Sequence, residues 1–169
     1  RNVPVFAMPK MTSFLKNNGP WSQLVTLNNI RLFPLSNYTA LELSEGLSIT
    51  PMKVPHRDEY SETVGYRIAS TENTLVFIPD INKWQQWEVD LANLINDIDY
   101  ALLDGSFYSA KEIGYRPIEL IPHPTVGETM ELLSEIPDET RSRVYFIHMN
   151  HTRHLTIPRI CVLHFYAFG

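Results

Sequence analysis

Residues 74–104 read TLVFIPDINKWQQWEVDLANLINDIDYALLD, and this stretch decides the fold. TLVFIP at 74–79 is a short apolar, β-branched run that ends on a proline and Asp80. WQQWEVDLANLIND at 84–97 then carries Trp84, Trp87, Leu91 and Leu94/Ile95 at helical spacing. DYALLD at 99–104 returns to the pattern of a buried strand. Strand, helix and strand in this order predict a β-α-β unit, hence an α/β domain.

The same logic extends in both directions. C-terminally, HPTVGETMELLSEIP at 123–137 places Val126, Met130 and Leu133 on one helical stripe, and RVYFIH at 143–148 predicts a further strand. N-terminally the pattern is β-rich, with strands expected near 3–7, 30–34, 39–43, 47–55 and 63–70. Asn73-Thr74 is a candidate hairpin turn before the 74–79 strand. PKMTSFLKNN at 9–18 predicts a helix, with proline in the first turn and Gly19 past its end. PWSQLVTLNNI is open between a helical turn and a loop, and HLTIPRICVLHFYAFG at 154–169 fits no clear element.

Composition limits the function classes. The chain has 169 residues, 44% hydrophobic and 20% charged, enough for one domain with a core. A formal net charge of -5 disfavours nucleic acid as the main partner, because phosphate binding needs a basic face. No apolar run is long enough to cross a bilayer and the first residues lack a signal-peptide core, so a cytoplasmic protein with no membrane partner is expected. The single cysteine, Cys161, excludes an internal disulfide and lies in an apolar run where thiols are inert. There is no G-x-S-x-G elbow, P-loop or G-x-G-x-x-G.

Polar residues recur at the ends of the expected strands. His56 follows ITPMKVP, Asp80 follows TLVFIP, Asp104 ends YALLD and His148 follows VYFI. Strand ends at one sheet edge converge, and imidazoles with carboxylates form a donor set suited to zinc or a related divalent metal. Each residue also has an ordinary explanation. A histidine can be solvated, Asp80 can cap a turn, Asp104-Gly105 reads as a turn signal, and Glu59 and Glu62 read as solvated. In HMNHTRH, His148 and His151 face opposite ways on a strand; His148 is the inward group, with Asn150, His151 and Thr152 in a loop at the pocket rim.

VPHRDEYSETVGYRI, LVFIPDINKW, YALLDGSFY, IPHPTVGETMELL and VYFIHMNHT, in this order, resemble the metallo-β-lactamase fold family. The likeness is to the pyrroloquinoline quinone biosynthesis protein B branch, more distantly to ribonuclease Z, and covers roughly residues 1–153. It implies a partial αββα fold, packed β-sheets flanked by helices, as a single domain over 1–169. It implies His56, Asp80 and His148 as metal ligands, with Asp80 shared between two zinc or other divalent ions. It implies His123 for proton transfer and Asp104 as an acidic neighbour, with Asn150, His151 and Thr152 near a small-molecule substrate. The family's H-x-H-x-D-H signature is missing, since no H-x-H occurs in the chain. The chain therefore looks like the C-terminal portion of such a domain, expected to bind metal weakly or not at all alone and to self-associate through an uncovered sheet face. Two functions stay open: a metal-dependent hydrolase using an activated water, or a non-catalytic domain that binds a small molecule or protein in the strand-end pocket.

Overall fold

A computed structural model describes residues 1–113, 117 and 120–150. The N-terminal part pairs two strands in parallel, β1 (Val3–Ala7) and β2 (Ile30–Pro34), around two helices, α1 (Pro9–Asn17) and α2 (Trp21–Thr26). The ambiguous PWSQLVTLNNI segment is thus helical at its start and extended at its end.

The main body is one six-stranded sheet. Its strands are β3 (Leu41–Ser44), β4 (Leu47–Lys53), β5 (Val64–Ala69), β6 (Thr74–Ile78), β7 (Tyr100–Asp104) and β8 (Val144–Ile147), adjacent in that order. From β3 to β6 the pairs are antiparallel; β6–β7 and β7–β8 are parallel. Parallel neighbours need a crossover connection, and the helices supply it. α3 (Leu91–Asn96) lies between β6 and β7, and α4 (Val126–Leu132) with α5 (Asp138–Arg141) lies between β7 and β8.

The core explains these choices. Val76 and Ile78 of β6, Ala101 and Leu103 of β7, and Val144 and Phe146 of β8 are buried at alternate positions. Against them pack Leu91 and Ile95 of α3, Val126 of α4, and the following Leu133 and Ile136. Both tryptophans of 84–87 join this core, as their spacing predicts.

Three local expectations fail for physical reasons. The 84–97 segment is not one helix: Trp84–Gln86 forms a single 3-10 turn, and α3 starts only at Leu91. Trp84 Nε1 donates to Thr129 Oγ1 at 2.8 Å and Trp87 Nε1 to the Lys53 carbonyl at 2.8 Å, which holds the two indoles in separate places. Asp90 then caps α3 by accepting from the Asn93 N–H. On α4 the inward stripe is Val126, Thr129 and Leu133, while Met130 is exposed. Thr129 is buried without penalty because its hydroxyl accepts from Trp84 and donates to the Thr125 carbonyl. The β5–β6 turn is Ser70–Asn73, closed by the Ser70 N–H on the Asn73 carbonyl, and Thr74 already belongs to β6. Among the described residues, no helix is long and apolar enough to cross a membrane.

The topology fixes where chemistry can occur. Because β6, β7 and β8 run the same way, their C-terminal ends share one sheet edge. The pairing of Lys53 with Val64 brings the end of β4 to the same edge. Open α/β sheets bind ligands beyond such carboxyl ends.

Candidate metal centre

Asp80 lies two residues beyond β6, Asp104 ends β7, and His148 directly follows β8. One donor atom from each lies within 4.8 Å of the other two. His56, three residues beyond β4, reaches the same place: its Nε2 is 3.3 Å from Asp80 Oδ2. His123, in the loop before α4, completes the group, with its ring centroid 5.6 Å from that of His56. Five residues from separate strand ends and loops therefore meet at one sheet edge.

The two carboxylates differ. Asp104 has no solvent exposure, and protein donors surround it. Its Oδ1 accepts from the Ser106 N–H at 2.8 Å; its Oδ2 accepts from the Ile81 N–H at 3.2 Å and faces His123 Nδ1 at 2.9 Å. Asp80 Oδ1 is buried and receives no hydrogen bond among the described residues. His123 Nδ1 is 3.3 Å from that oxygen, but its one hydrogen is committed to the nearer Asp104. A buried carboxylate oxygen without a donor is costly unless a cation meets it.

Proton affinity at His123 follows from this arrangement. The hydrogen bond to Asp104 holds its pKa above the usual histidine value. Burial opposes the rise, the charges of Asp104 and Asp80 add to it, and Lys83 works against it.

The surrounding backbone is tightly held. After Asp80, the Ile81 N–H bonds Asp104, the Asn82 N–H bonds the Pro55 carbonyl at 2.7 Å, and Lys83 Nζ is 2.8 Å from Glu128 on α4. Glu128 also forms a capping box with Thr125, which orients the start of the helix just after His123. At Gly105 an added Cβ would lie 2.9 Å from the Ile147 carbonyl and 2.9 Å from Phe146 Cβ. Asp104-Gly105 is therefore no turn signal: the glycine lets the end of β7 close onto β8. His148 has φ 59°, a left-handed backbone in which histidine is enriched among non-glycine residues.

The Asn150 N–H donates to the Ser106 carbonyl at 3.2 Å, so its backbone borders this group. His151 and Thr152, expected at the rim, lie outside the described residues, as does Cys161. Sequence reasoning missed Asn82 and Ser106. Asn82 Oδ1 is 3.0 Å from His56 Nδ1, and Ser106 Oγ is 3.2 Å from His148 Nδ1. Each stands two positions after an acid at a strand end, and that repeated offset was the available signal. Glu62 was missed as well: it accepts from the Lys10 and Met11 N–H groups at the start of α1. A cleft of about 440 Å³ opens beside His56, lined by Asn37, Lys53, Asn82, Gln86 and Glu88 among others.

The donor set suits a divalent cation. It offers imidazole nitrogen and carboxylate oxygen, with one buried oxygen lacking a partner among the described residues. Zinc and other borderline metals take such mixtures.

Residues 1–149 match the family described as the beta-lactamase superfamily domain. No curated protein matches the chain in sequence. Among solved structures, zinc-bound PqqB from Methylobacterium extorquens is 21% identical at a TM-score of 0.60, covering 89% of this chain and 52% of that one. A diphosphatase from the PhnP family is 18% identical at 0.57, with 97% and 56% covered. Unliganded yeast PDE1 is 12% identical at 0.56, with 94% and 51% covered. The chain thus spans about half the length of each structure it resembles. At these identities the likeness establishes the fold, a mixed α/β architecture of sheets flanked by helices. On the family match and this shared architecture, the chain belongs to the beta-lactamase superfamily and has its metallo-β-lactamase fold, with similarity to PqqB.

Proposed function

We propose that the chain carries part of a metal-dependent hydrolytic centre acting on a small phosphate-ester or related substrate. Asp80 would be shared between divalent cations, zinc by preference, with His56 on one side and His148 on the other. The observation that carries this reading is Asp80: its Oδ1 is buried with no donor among the described residues, its Oδ2 faces His56, and His148 and Asp104 each bring a donor atom within 4.8 Å. Zinc in one solved relative and diphosphatase activity in the name of another support it. When bound, such an ion supplies Lewis acidity and makes water nucleophilic near neutral pH.

The chain's own groups supply the rest. Asp104 spends its oxygens on Ser106, Ile81 and His123, so it orients rather than ligates. It holds His123 by Nδ1 and stabilises the imidazolium. The protonated ring then gives its proton to the departing oxygen, the task of a general acid. Asn150, whose backbone reaches Ser106, borders the substrate.

The test is zinc uptake by the chelator-stripped full chain, paired with zinc-dependent hydrolysis of bis(4-nitrophenyl) phosphate. Zinc bound with micromolar strength and turnover lost in His123→Ala, with zinc retained, is the expected result. A chain that takes up no zinc overturns the reading. Zinc uptake without hydrolysis of any phosphate or carboxylate ester leaves the metal site and replaces the hydrolase by a binding domain.

A further inference from the structure

Resting on that metal reading, we infer that Asn82 is the positioning residue for His56: it holds the ring by Nδ1 so that Nε2 faces Asp80 and the cation. An imidazole can present either nitrogen to a metal. The partner of the other nitrogen decides which, by fixing the tautomer and the ring plane.

Asn82 is built for this task. Its backbone N–H donates to the Pro55 carbonyl at 2.7 Å, which ties it to the residue just before His56. Its Nδ2 donates to Gln86 Oε1 at 3.3 Å, leaving Oδ1 for the imidazole. That oxygen lies 3.0 Å from His56 Nδ1 and can only accept, so the hydrogen belongs on Nδ1. On the other side of the ring, Nε2 is 3.3 Å from Asp80 Oδ2. The Asp80-x-Asn82 unit thus holds one imidazole by Nδ1 and sets its bare Nε2 against a carboxylate oxygen, two lone pairs that a cation between them would satisfy.

The parallel contact at His148 lacks this property. Ser106 Oγ lies 3.2 Å from His148 Nδ1, but a hydroxyl donates or accepts equally well and selects no tautomer. Asn82 is therefore the residue whose chemistry, beyond its shape, sets a ligand.

The experiment measures zinc affinity of the full chain by competition with a chromophoric chelator. It compares wild type, Asn82→Leu and Asn82→Asp, with cooperative melting required of each. Asn82→Leu is expected to bind zinc roughly 10- to 100-fold more weakly. Asn82→Asp keeps an acceptor facing Nδ1 and is expected to bind at least as tightly as wild type, a rescue that a merely structural role does not give. Independently of any variant, nitrogen-15 spectra of the zinc-loaded wild type should show His56 protonated on Nδ1 and metallated on Nε2. Metallation through Nδ1, or equal zinc affinity in wild type and Asn82→Leu, overturns the inference alone. Should Asn82→Leu fail to fold, the nitrogen-15 spectrum and Asn82→Asp decide: weaker binding by Asn82→Asp overturns it. A wild-type chain that takes up no zinc overturns the proposed function, and this inference with it.

Discussion

His123 Nδ1 lies 2.9 Å from Asp104 Oδ2, a carboxylate with no exposure to solvent. The pair links the loop before α4 to the end of β7. Asp104→Asn replaces one oxygen by a donor that faces the Ile81 N–H, the Ser106 N–H or His123. Loss of a buried charged partner should cost on the order of 3 kcal/mol. Urea denaturation of the metal-stripped chain measures it.

The same pair gives a pH dependence. His123 is raised in the folded chain by Asp104, with Asp80 adding and Lys83 opposing; His56 is the other titratable ring facing it. A raised folded pKa stabilises fully below the unfolded value of about 6.5. That contribution is lost as pH rises through the folded value. Denaturation midpoints of the metal-stripped chain should fall over that window, and His123→Gln should flatten the fall.

Asp80→Asn should separate stability from metal binding. The buried oxygen has no donor to lose. At a pH above the folded value of His123, where the Asp80 charge no longer supports an imidazolium, the metal-free variant is therefore expected to melt at or above the wild-type temperature. Zinc at a hundredfold excess over its dissociation constant stabilises the wild type by about 2.7 kcal/mol. The variant should gain none of this in parallel thermal scans with and without zinc.

Gly105→Ala forces a methyl group against β8 at 2.9 Å. Overpacking of this kind costs about 1–3 kcal/mol. Because Asp104 and His148 flank the contact, zinc affinity should fall along with stability, as chelator competition and urea midpoints on one preparation would report.

Glu62 ties the loop after His56 to α1. Pro9 has no N–H, so Lys10 and Met11 carry the first free donors of the helix, and both meet this carboxylate. Burial alone would raise its pKa; the backbone N–H groups and the Lys10 charge outweigh burial and hold it below the usual carboxylate range. Its stabilisation is present above the unfolded value of about 4.3 and lost as pH falls through the lower folded value. Glu62→Ala should cost about 1 kcal/mol at pH 7, in line with loss of a helix cap, and less in acid. Circular dichroism melts at both pH values check this.

The strand-end residues were legible because each closes a short apolar run, as in VYFIH and TLVFIPD. Chain order and strand direction then bring them together. What escaped depends on contacts distant in sequence. Trp84 and Trp87 sit at helical spacing, yet their indole N–H groups bond Thr129 and Lys53, which splits the predicted helix. Met130 has the more apolar side chain, but Thr129 is the one buried, because a tryptophan forty-five positions away satisfies its hydroxyl. Glu62 read as a solvated acid since nothing local announces a helix start that needs it. Gly105 looked like a turn residue, and only the approach of β8 gives its real reason.

Each donor of the centre arrives on its own strand, the last of them just past the far edge strand β8. No part of the polypeptide shorter than 56–148 contains all of these donors. Cation capture should accordingly be a late event in folding, arriving only once β8 has docked, and the rate at which zinc becomes protected from a chelator would serve as a clock for completion of the sheet.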